Sequence, residues 1–374
     1  MDRSPDAGPD RPDLLGLDPD ALSAALRAHF ESRGQPEYRA RQVARWIYEA
    51  RAESFDDMTD LPAAERGALA EAFELREPRA ESVARSADGT AKHLWRLADG
   101  ELVESVLIPT PRRLTLCLSS QAGCAMGCTF CATGWTGFGR QLGAGEIVAQ
   151  YRASQRWAEA HGYGRIGNVV YMGMGEPLAN RRAVFASLEV LNRGYGLGAR
   201  RITVSTVGVV PGILELAARP EQFRLALSLH APLSELRARL IPLERRYPLP
   251  ELMEALRRFD QAGGKRITFE YTMIAGVNDD PALIDPLAGL AAEVDAFVNL
   301  IPFNPIPWQP DWRPSPAKRL EQFRSGLERR GVSAAVREPR GRDIDAACGQ
   351  LRANALVELD PSRPRARVAG ESSD

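Results

Sequence analysis

The sequence predicts an α/β fold: an incomplete barrel of six parallel βα units, with a small N-terminal helical domain and a β-hairpin extension ahead of it. Three observations carry this. From residue 114 onward, apolar runs of strand length alternate with helical stretches, the rhythm of parallel βαβ units. There are six such units, too few for a closed eight-fold barrel. Ahead of residue 114 the pattern is first helical and then extended, with Ala98-Asp99-Gly100 as a turn between two strand-like runs.

Taken in order, residues 1–14 are acidic and Pro-rich and read as a disordered tail. Residues 15–78 read as the helical domain. Asp18-Pro19 is an N-cap and first-turn pair, Leu22, Leu26 and Phe30 share a face, and Gly34 stops the helix. A second helix is expected from about Ala40, with Val43, Trp46 and Ile47 inward, and a third from Pro62 with Leu69 and Phe73. Residues 79–113 form the hairpin linker, with strands at 92–97 and 101–108. The barrel spans 114–357. Its strands are expected at 114–119, 168–172, 201–206, 224–229, 266–273 and 296–301, and its helices near 145–160, 181–193, 211–218, 249–262 and 281–292. A helix at 316–330, a short strand at 332–337 and a helix from about 343 complete it, before a polar tail at 358–374.

A formal charge of −1 over 374 residues rules out a global field toward polyanions, so any polyanion partner must meet a local patch. Residues 313–342 supply one, with nine Lys/Arg against three Glu. Its plainer reading is a solvated helix face. Arg39, Arg41, Arg45 and Arg51 flank Trp46 and Tyr48 in the helical domain, where the Trp reads as core rather than as a stacking platform. No apolar run approaches the roughly 18 residues of a membrane span, and no signal-peptide pattern opens the chain. Five unevenly spaced cysteines suit a cytosolic protein whose thiols bind metal or react, not a secreted disulfide framework.

Ligands in parallel α/β folds bind at the carboxyl ends of the strands, and the chemically distinctive residues fall there. The first strand, which carries Cys117, leads into Cys124, Cys128 and Cys131, spaced C-x3-C-x2-C. Gly173-Met174-Gly175-Glu176-Pro177 follows the second strand. Ser205, then Ser228-Leu229-His230, end the third and fourth, and Asn304 follows the sixth. Three cysteines on one loop can hold three corners of an iron–sulfur cubane and leave one iron open. A zinc site completed by His or a fourth Cys is the competing reading of the same spacing. Met172 and Met174 read as packing.

The cysteine loop, with Phe130 before its last thiol, resembles the radical S-adenosylmethionine (SAM) signature, and Gly175-Glu176-Pro177 resembles that superfamily's "GEP" stretch. The likeness then narrows. Tyr38 to Tyr48, Gln121 to Leu142, Tyr171 to Leu178, Ser205 to Pro211, Ser228 to Pro232, Leu300 to Pro305 and Arg340 to Leu351 are similar to the RlmN/Cfr family, in order, from about residue 14 to 357. Ala346-Ala347-Cys348-Gly349-Gln350-Leu351 is the most specific piece. Trp135 stands where some relatives carry polar side chains.

The resemblance implies a radical SAM methyltransferase acting on carbon 2 of an adenine in 23S rRNA, with tRNA as a second substrate. Its cofactors would be a 4Fe–4S cluster on Cys124, Cys128 and Cys131 and two SAM molecules per turnover. Gly175, Glu176, Ser205, Ser228, Leu229, His230 and Asn304 would hold SAM. Cys348 would carry the methyl group, Cys117 would resolve the RNA adduct through a transient disulfide, and Glu104 would be the base. By themselves, Cys117 reads as a small buried hydrophobe and Glu104 as an exposed strand residue. The resemblance also implies a cytoplasmic monomer served by an electron donor such as flavodoxin or ferredoxin. Two rivals stay open: the same chemistry at carbon 8, and a non-catalytic zinc-containing RNA-binding protein.

Overall fold

The computed structural model describes residues 11–263 and 266–351. Three helices, α1 (Pro19–Ser32), α2 (Tyr38–Arg45) and α3 (Ala63–Ala72), form the helical domain. The Asp18 carboxylate caps α1 by accepting from the backbone N–H groups of Asp20 and Ala21. Leu22, Leu26, Phe30, Val43, Ile47, Leu69 and Phe73 build its core. The described part of the expected tail, residues 11–14, is packed rather than loose. Leu14 is buried in the helical core and Arg11 pairs with Glu74 at 3.0 Å. Two adjacent leucines, Leu14 and Leu15, outweigh the acidic composition that precedes them. The polar tail at 358–374 lies outside the described residues.

The extension contains three antiparallel strands, not two: β1 (Arg79–Arg85), β2 (Ala91–Arg96) and β3 (Leu102–Thr110). The strand missing from the sequence reading is a charged, mostly exposed edge strand with no apolar alternation. The extension is also no mere linker. β3 pairs antiparallel with the first barrel strand, β4 (Arg113–Cys117). Gln121–Gly123 (β5) and Phe138–Gln141 (β6) form a separate small hairpin.

From β4 the sheet runs parallel through β7 (Ile166–Tyr171), β8 (Ile202–Thr206), β9 (Arg224–Ser228), β10 (Ile267–Met273), β11 (Phe297–Pro302) and β12 (Ala334–Val336). The result is an open ten-stranded sheet in which the six expected strands are joined by a seventh parallel strand, the short run expected at 332–337. Helices α5 (Ala144–Ala160), α6 (Arg181–Glu189), α7 (Val210–Ala217), α9 (Leu249–Gln261), α10 (Ile284–Glu293) and α11 (Ala317–Glu328) match the expected crossovers and closing helix. Two short helices, α4 (Ala132–Trp135) and α8 (Ser234–Leu240), were not legible in the sequence. The helix expected from about 343 is corrected to a single 3-10 turn, Arg342–Ile344, followed by irregular chain. Gly341, Asp345 and Gly349 all take positive φ there, which no helix accommodates.

Sheet register sorts the side chains. Leu116, Val169, Val204, Leu225, Leu227, Phe269, Val298 and Leu300 point outward beneath the helices and are buried in one continuous core. Cross-strand partners on the opposite face run from Val106 to Cys117 to Val170 to Thr203, and again from Ser205 to Ala226 and from Ser228 to Glu270 to Asn299. That inner face is the more polar one.

Where the helical domain meets α5, the Arg152 guanidinium is fully buried. It donates to the carbonyls of Ile47 and Ala52, to the Glu77 carboxylate and to the Tyr195 hydroxyl. Ala149 of the same helix belongs to the helical-domain core.

His93 of β2 is fully buried against α5. It stacks on Trp95 with centroids 4.9 Å apart and meets the Trp157 ring edge-on at 4.7 Å, and neither ring nitrogen has a hydrogen-bond partner. Burial first, then the nearby His161 and Arg85, lowers its pKa to about 4. The unfolded chain therefore binds this proton near pH 6.5 while the folded one refuses it, so stability falls as pH drops from 6.5 toward 4. His93→Phe is expected to flatten that acid limb by up to about 1.4 kcal/mol per pH unit, read as Tm against pH beside the parent protein.

Candidate active site

The cysteine loop begins where the β5–β6 hairpin closes. Gly123 has φ +82°, and a Cβ there would lie 2.0 Å from the Gly137 carbonyl oxygen, so only glycine permits the closure. The Cys124 N–H donates to that same carbonyl at 2.8 Å, and the Cys131 N–H donates to the Cys128 carbonyl at 3.2 Å. All three thiols line one open cavity at the carboxyl ends of the strands. Burial raises each thiol's pKa, that of Cys124 to about 12, and the neighbouring thiols add to the rise at Cys124 and Cys128. Thiolates in this position need a cationic centre beside them.

A single zinc ion draws its ligand sulfurs to within about 4 Å of one another, given Zn–S bonds of about 2.3 Å. Among the described residues no three His, Cys, Asp or Glu side chains converge tightly enough to hold one ion. Three thiols of one loop that line the same cavity suit the corners of a polynuclear cluster.

The next wall is Gly173–Pro177. A Cβ at Gly173 would meet the Leu118 carbonyl carbon at 2.6 Å. Gly175, at φ +100°, would meet Gln121 Cβ at 2.5 Å. Both glycines let the loop press against the turn after β4. Glu176 lines the cavity, but its carboxylate is engaged within the protein: Oε1 accepts from Leu178 N–H at 3.1 Å and Oε2 from Val207 N–H at 2.9 Å. Burial raises its pKa to about 7, against the lowering effect of Thr206 and those amides.

Ser205 and Ser228 line the cavity, as does His230, held at φ +55°. His230 Nδ1 accepts from Thr272 N–H at 2.9 Å, and its ring meets Phe130 at 4.3 Å. Burial, reinforced by Arg237, lowers its pKa to about 3, so it is neutral and Nε2 carries the proton. Leu229 is different. Its side chain lies in the sheet core, off the cavity, and its N–H donates to the Glu270 carbonyl. Of the two methionines read as packing, Met174 is core and Met172 lines the cavity. Asn304 lines the cavity and reaches the loop that holds Cys348: its Nδ2 donates to the Cys348 carbonyl at 3.2 Å, while Arg342 Nε donates to its Oδ1 at 3.2 Å.

Cys348 itself is exposed on that loop and lines the cavity. Cys117 is buried on the inner face of β4, and its pKa is pushed up to about 12, first by burial and next by the neighbouring Cys348. Glu104 shares that inner face. It lies two residues before Val106, the partner of Cys117, and is buried rather than exposed as the sequence suggested. Strand register puts Glu104 and Cys117 on one face, and the loop after β12 brings Cys348 to Cys117 and Cys131, although these residues span almost 250 positions of chain.

Sequence reasoning missed three charged residues. Lys92 Nζ lies 3.3 Å from Glu104 Oε1. Glu270 lines the cavity, and its Oε1 accepts from Asn299 Nδ2 at 3.0 Å. Arg337 also lines the cavity, and its pKa is raised by Cys348 first, then by Glu270 and Cys117. Arg337 had been grouped with the basic surface stretch. Others of that stretch are tied down as well: Arg324 by Glu321 and Glu328, Arg330 by Asp285, Arg342 by Asn304. Arg313, Lys318 and Arg329 are exposed. In the helical domain Arg45 pairs with Asp60 and Arg51 with Glu159, and Trp46 donates to Asp60 at 2.6 Å while packing on the helical core. No described helix is long and apolar enough to cross a membrane.

Comparison with known proteins agrees with this geometry. The family model of the Radical SAM superfamily matches residues 118–284, and that of the ribosomal RNA large subunit methyltransferase N-terminal domain matches residues 12–75. The "Probable dual-specificity RNA methyltransferase RlmN" of Gemmatimonas aurantiaca is 49% identical over 347 residues, covering 92% of this chain and 94% of its own. The dual-specificity RNA methyltransferase RlmN of Anaeromyxobacter dehalogenans is 45% identical, with 96% of each chain covered. The crystal structure of a radical SAM methyltransferase from Sphaerobacter thermophilus superposes with a TM-score of 0.86 at 45% identity, over 91% of this chain and 99% of that one. This chain belongs to the RlmN family of radical SAM RNA methyltransferases, enzymes that work with a 4Fe–4S cluster and SAM.

Proposed function

We propose that this enzyme methylates carbon 2 of an adenine in 23S rRNA, and an adenine of tRNA as a second substrate, by way of a methyl group carried on Cys348. The observation that carries the reading is the convergence of Cys117 and Cys348, two free thiols far apart in sequence, beside a cavity walled by three further cysteines. Carbon 2 of adenine is electron-poor and is no nucleophile for a direct transfer, so a carrier is required. Cys124, Cys128 and Cys131 would hold the cluster. When bound, it supplies the electron that splits SAM, and with it a radical able to take hydrogen from the methyl group on Cys348.

The remaining steps belong to the chain. The methylene on the Cys348 sulfur bonds to the ring carbon, which leaves the RNA attached to the protein. The adduct gives up one electron, which the oxidised cluster held by Cys124, Cys128 and Cys131 would accept, and its ring proton goes to Glu104. Cys117 then gives up its thiol proton and attacks the Cys348 sulfur. The sulfur–methylene bond breaks, its electron pair and a proton complete the methyl group, and a Cys117–Cys348 disulfide remains for reduction by a thiol donor. Gly175, Glu176, Ser205, Ser228, His230 and Asn304 are proposed to hold SAM. Leu229 could contribute only through its backbone. The adenine must leave its stack to reach this cavity.

Carbon 2 is preferred to carbon 8 because the N-terminal domain is of the RlmN type. Dual specificity in the names of the relatives supports tRNA. The domain boundaries given above, a cytoplasmic location, a monomeric state and a flavodoxin or ferredoxin donor are part of the same proposal. Mass spectrometry of digested RNA, taken from cells lacking the enzyme before and after its expression, is expected to show new 2-methyladenosine. The appearance of 8-methyladenosine instead would overturn the regiochemistry.

A further inference from the structure

The β1–β3 extension does more than widen the sheet. β2 pairs with β3 so that Lys92 stands opposite Val106 and Leu94 opposite Glu104. Side chains alternate along a strand, so Lys92, Glu104, Val106 and Cys117 all point to the inner face. The Lys92 ammonium, mostly buried, lies 3.3 Å from Glu104 Oε1. The same ammonium donates to the Asp345 carbonyl at 3.2 Å, three residues before Cys348. Two further bonds tie the extension to that loop. Gly341 N–H donates to Asp88 Oδ2 at 3.0 Å, and Ala87 N–H donates to Asp343 Oδ2 at 3.2 Å.

We infer that Lys92 is a positioning residue that keeps Glu104 ionised and at the same time seats the Cys348 loop above it. The inference rests on the reading of Glu104 as the base. A carboxylate as buried as this one gains a proton unless a cation stays beside it. A protonated Glu104 cannot take the ring proton of the RNA adduct. One ammonium thus serves both ends of the step. It stabilises the carboxylate that accepts the proton, and it fixes the backbone that presents the sulfur to which the RNA is bound. When the proton moves from ring carbon to Glu104, the C–H electron pair returns to the ring.

The test separates loading from release. Reconstituted full-length enzyme, SAM, dithionite and an unmodified rRNA transcript are followed for four readouts: methyl on Cys348, 5′-deoxyadenosine, covalent RNA–protein adduct and free methyladenosine. In Lys92→Met the Gly341–Asp88 and Ala87–Asp343 bonds still hold the Cys348 loop, so the variant is expected to load methyl and form 5′-deoxyadenosine at near parental rates, and to release product about tenfold or more slowly, with adduct accumulating. Lys92→Arg is expected to restore release, because it restores the charge. Glu104→Gln, as reference, is expected to trap adduct by about 100-fold or more. If Glu104→Gln traps adduct but Lys92→Met releases product at the parental rate, the role of Lys92 is refuted while the base assignment stands. If Lys92→Met loses methyl loading and radical formation as well, Lys92 is merely structural and the inference is overturned. If Glu104→Gln releases product normally, the base assignment itself falls and the inference falls with it.

Discussion

Cys117→Ala is expected to leave RNA covalently bound to Cys348. Every step up to the adduct uses residues other than Cys117, so methyl loading, SAM cleavage and attachment should proceed. Release requires a sulfur nucleophile at the Cys348 sulfur, and alanine offers none. Product formation should fall by at least about 10³-fold, the scale seen when a nucleophile that works with a partner is deleted. The protein should instead shift by the mass of the RNA on a denaturing gel, and nuclease digestion followed by peptide mass spectrometry should find the residual nucleotide on Cys348. The substitution is mild structurally, since it removes one sulfur from a buried strand position. Normal turnover by this variant would eliminate the transient disulfide. Burial holds the Cys117 pKa at about 12, so it rests as the thiol, and Arg337 is the cation facing both sulfurs.

Cys348→Ala is expected to abolish methylated product while SAM cleavage continues at a reduced rate. Cys124, Cys128 and Cys131 are untouched, so the cluster should load with about four irons per chain, and 5′-deoxyadenosine should form without an RNA product. The decisive comparison is protein mass after incubation with SAM alone. The parent should gain one methyl group and the variant none. Methyl transfer to RNA by Cys348→Ala would move the carrier role elsewhere. The exposed loop position of Cys348 makes a folding defect a poor explanation of this outcome.

What could be read in advance, and what could not, follows from where the information lies. Strands β4 and β7 to β11 were legible because each is an apolar run set apart by helical spacing. The cysteine loop was legible because three thiols in eight residues have few structural uses. β1 was not, since an edge strand such as Arg79–Arg85 needs no apolar face. Lys92 and Arg337 were not either. A lysine in an alternating strand and an arginine in a basic stretch look like surface residues until register turns them inward. Glu104 seemed exposed for the same reason, and Asn304 gave no sign that its amide would hold the Cys348 carbonyl. The Arg342 turn was misread as helix because composition there favours one. The chain instead follows its three positive-φ positions and its bonds to Asp88 and Ala87.

Arg152 bears on the history of the molecule. Its guanidinium is sealed where the helical domain meets α5 and donates to carbonyls at Ile47 and Ala52 that belong to the other side. A foreign domain docked on this barrel without matching acceptors would bury the guanidinium uncompensated, a penalty of about 3–5 kcal/mol. The accessory domain is therefore not a cassette that recombination could exchange freely. Any replacement would have to arrive with two carbonyls already aimed at the same guanidinium. Grafting a new RNA-gripping module onto this barrel would have to begin by changing Arg152.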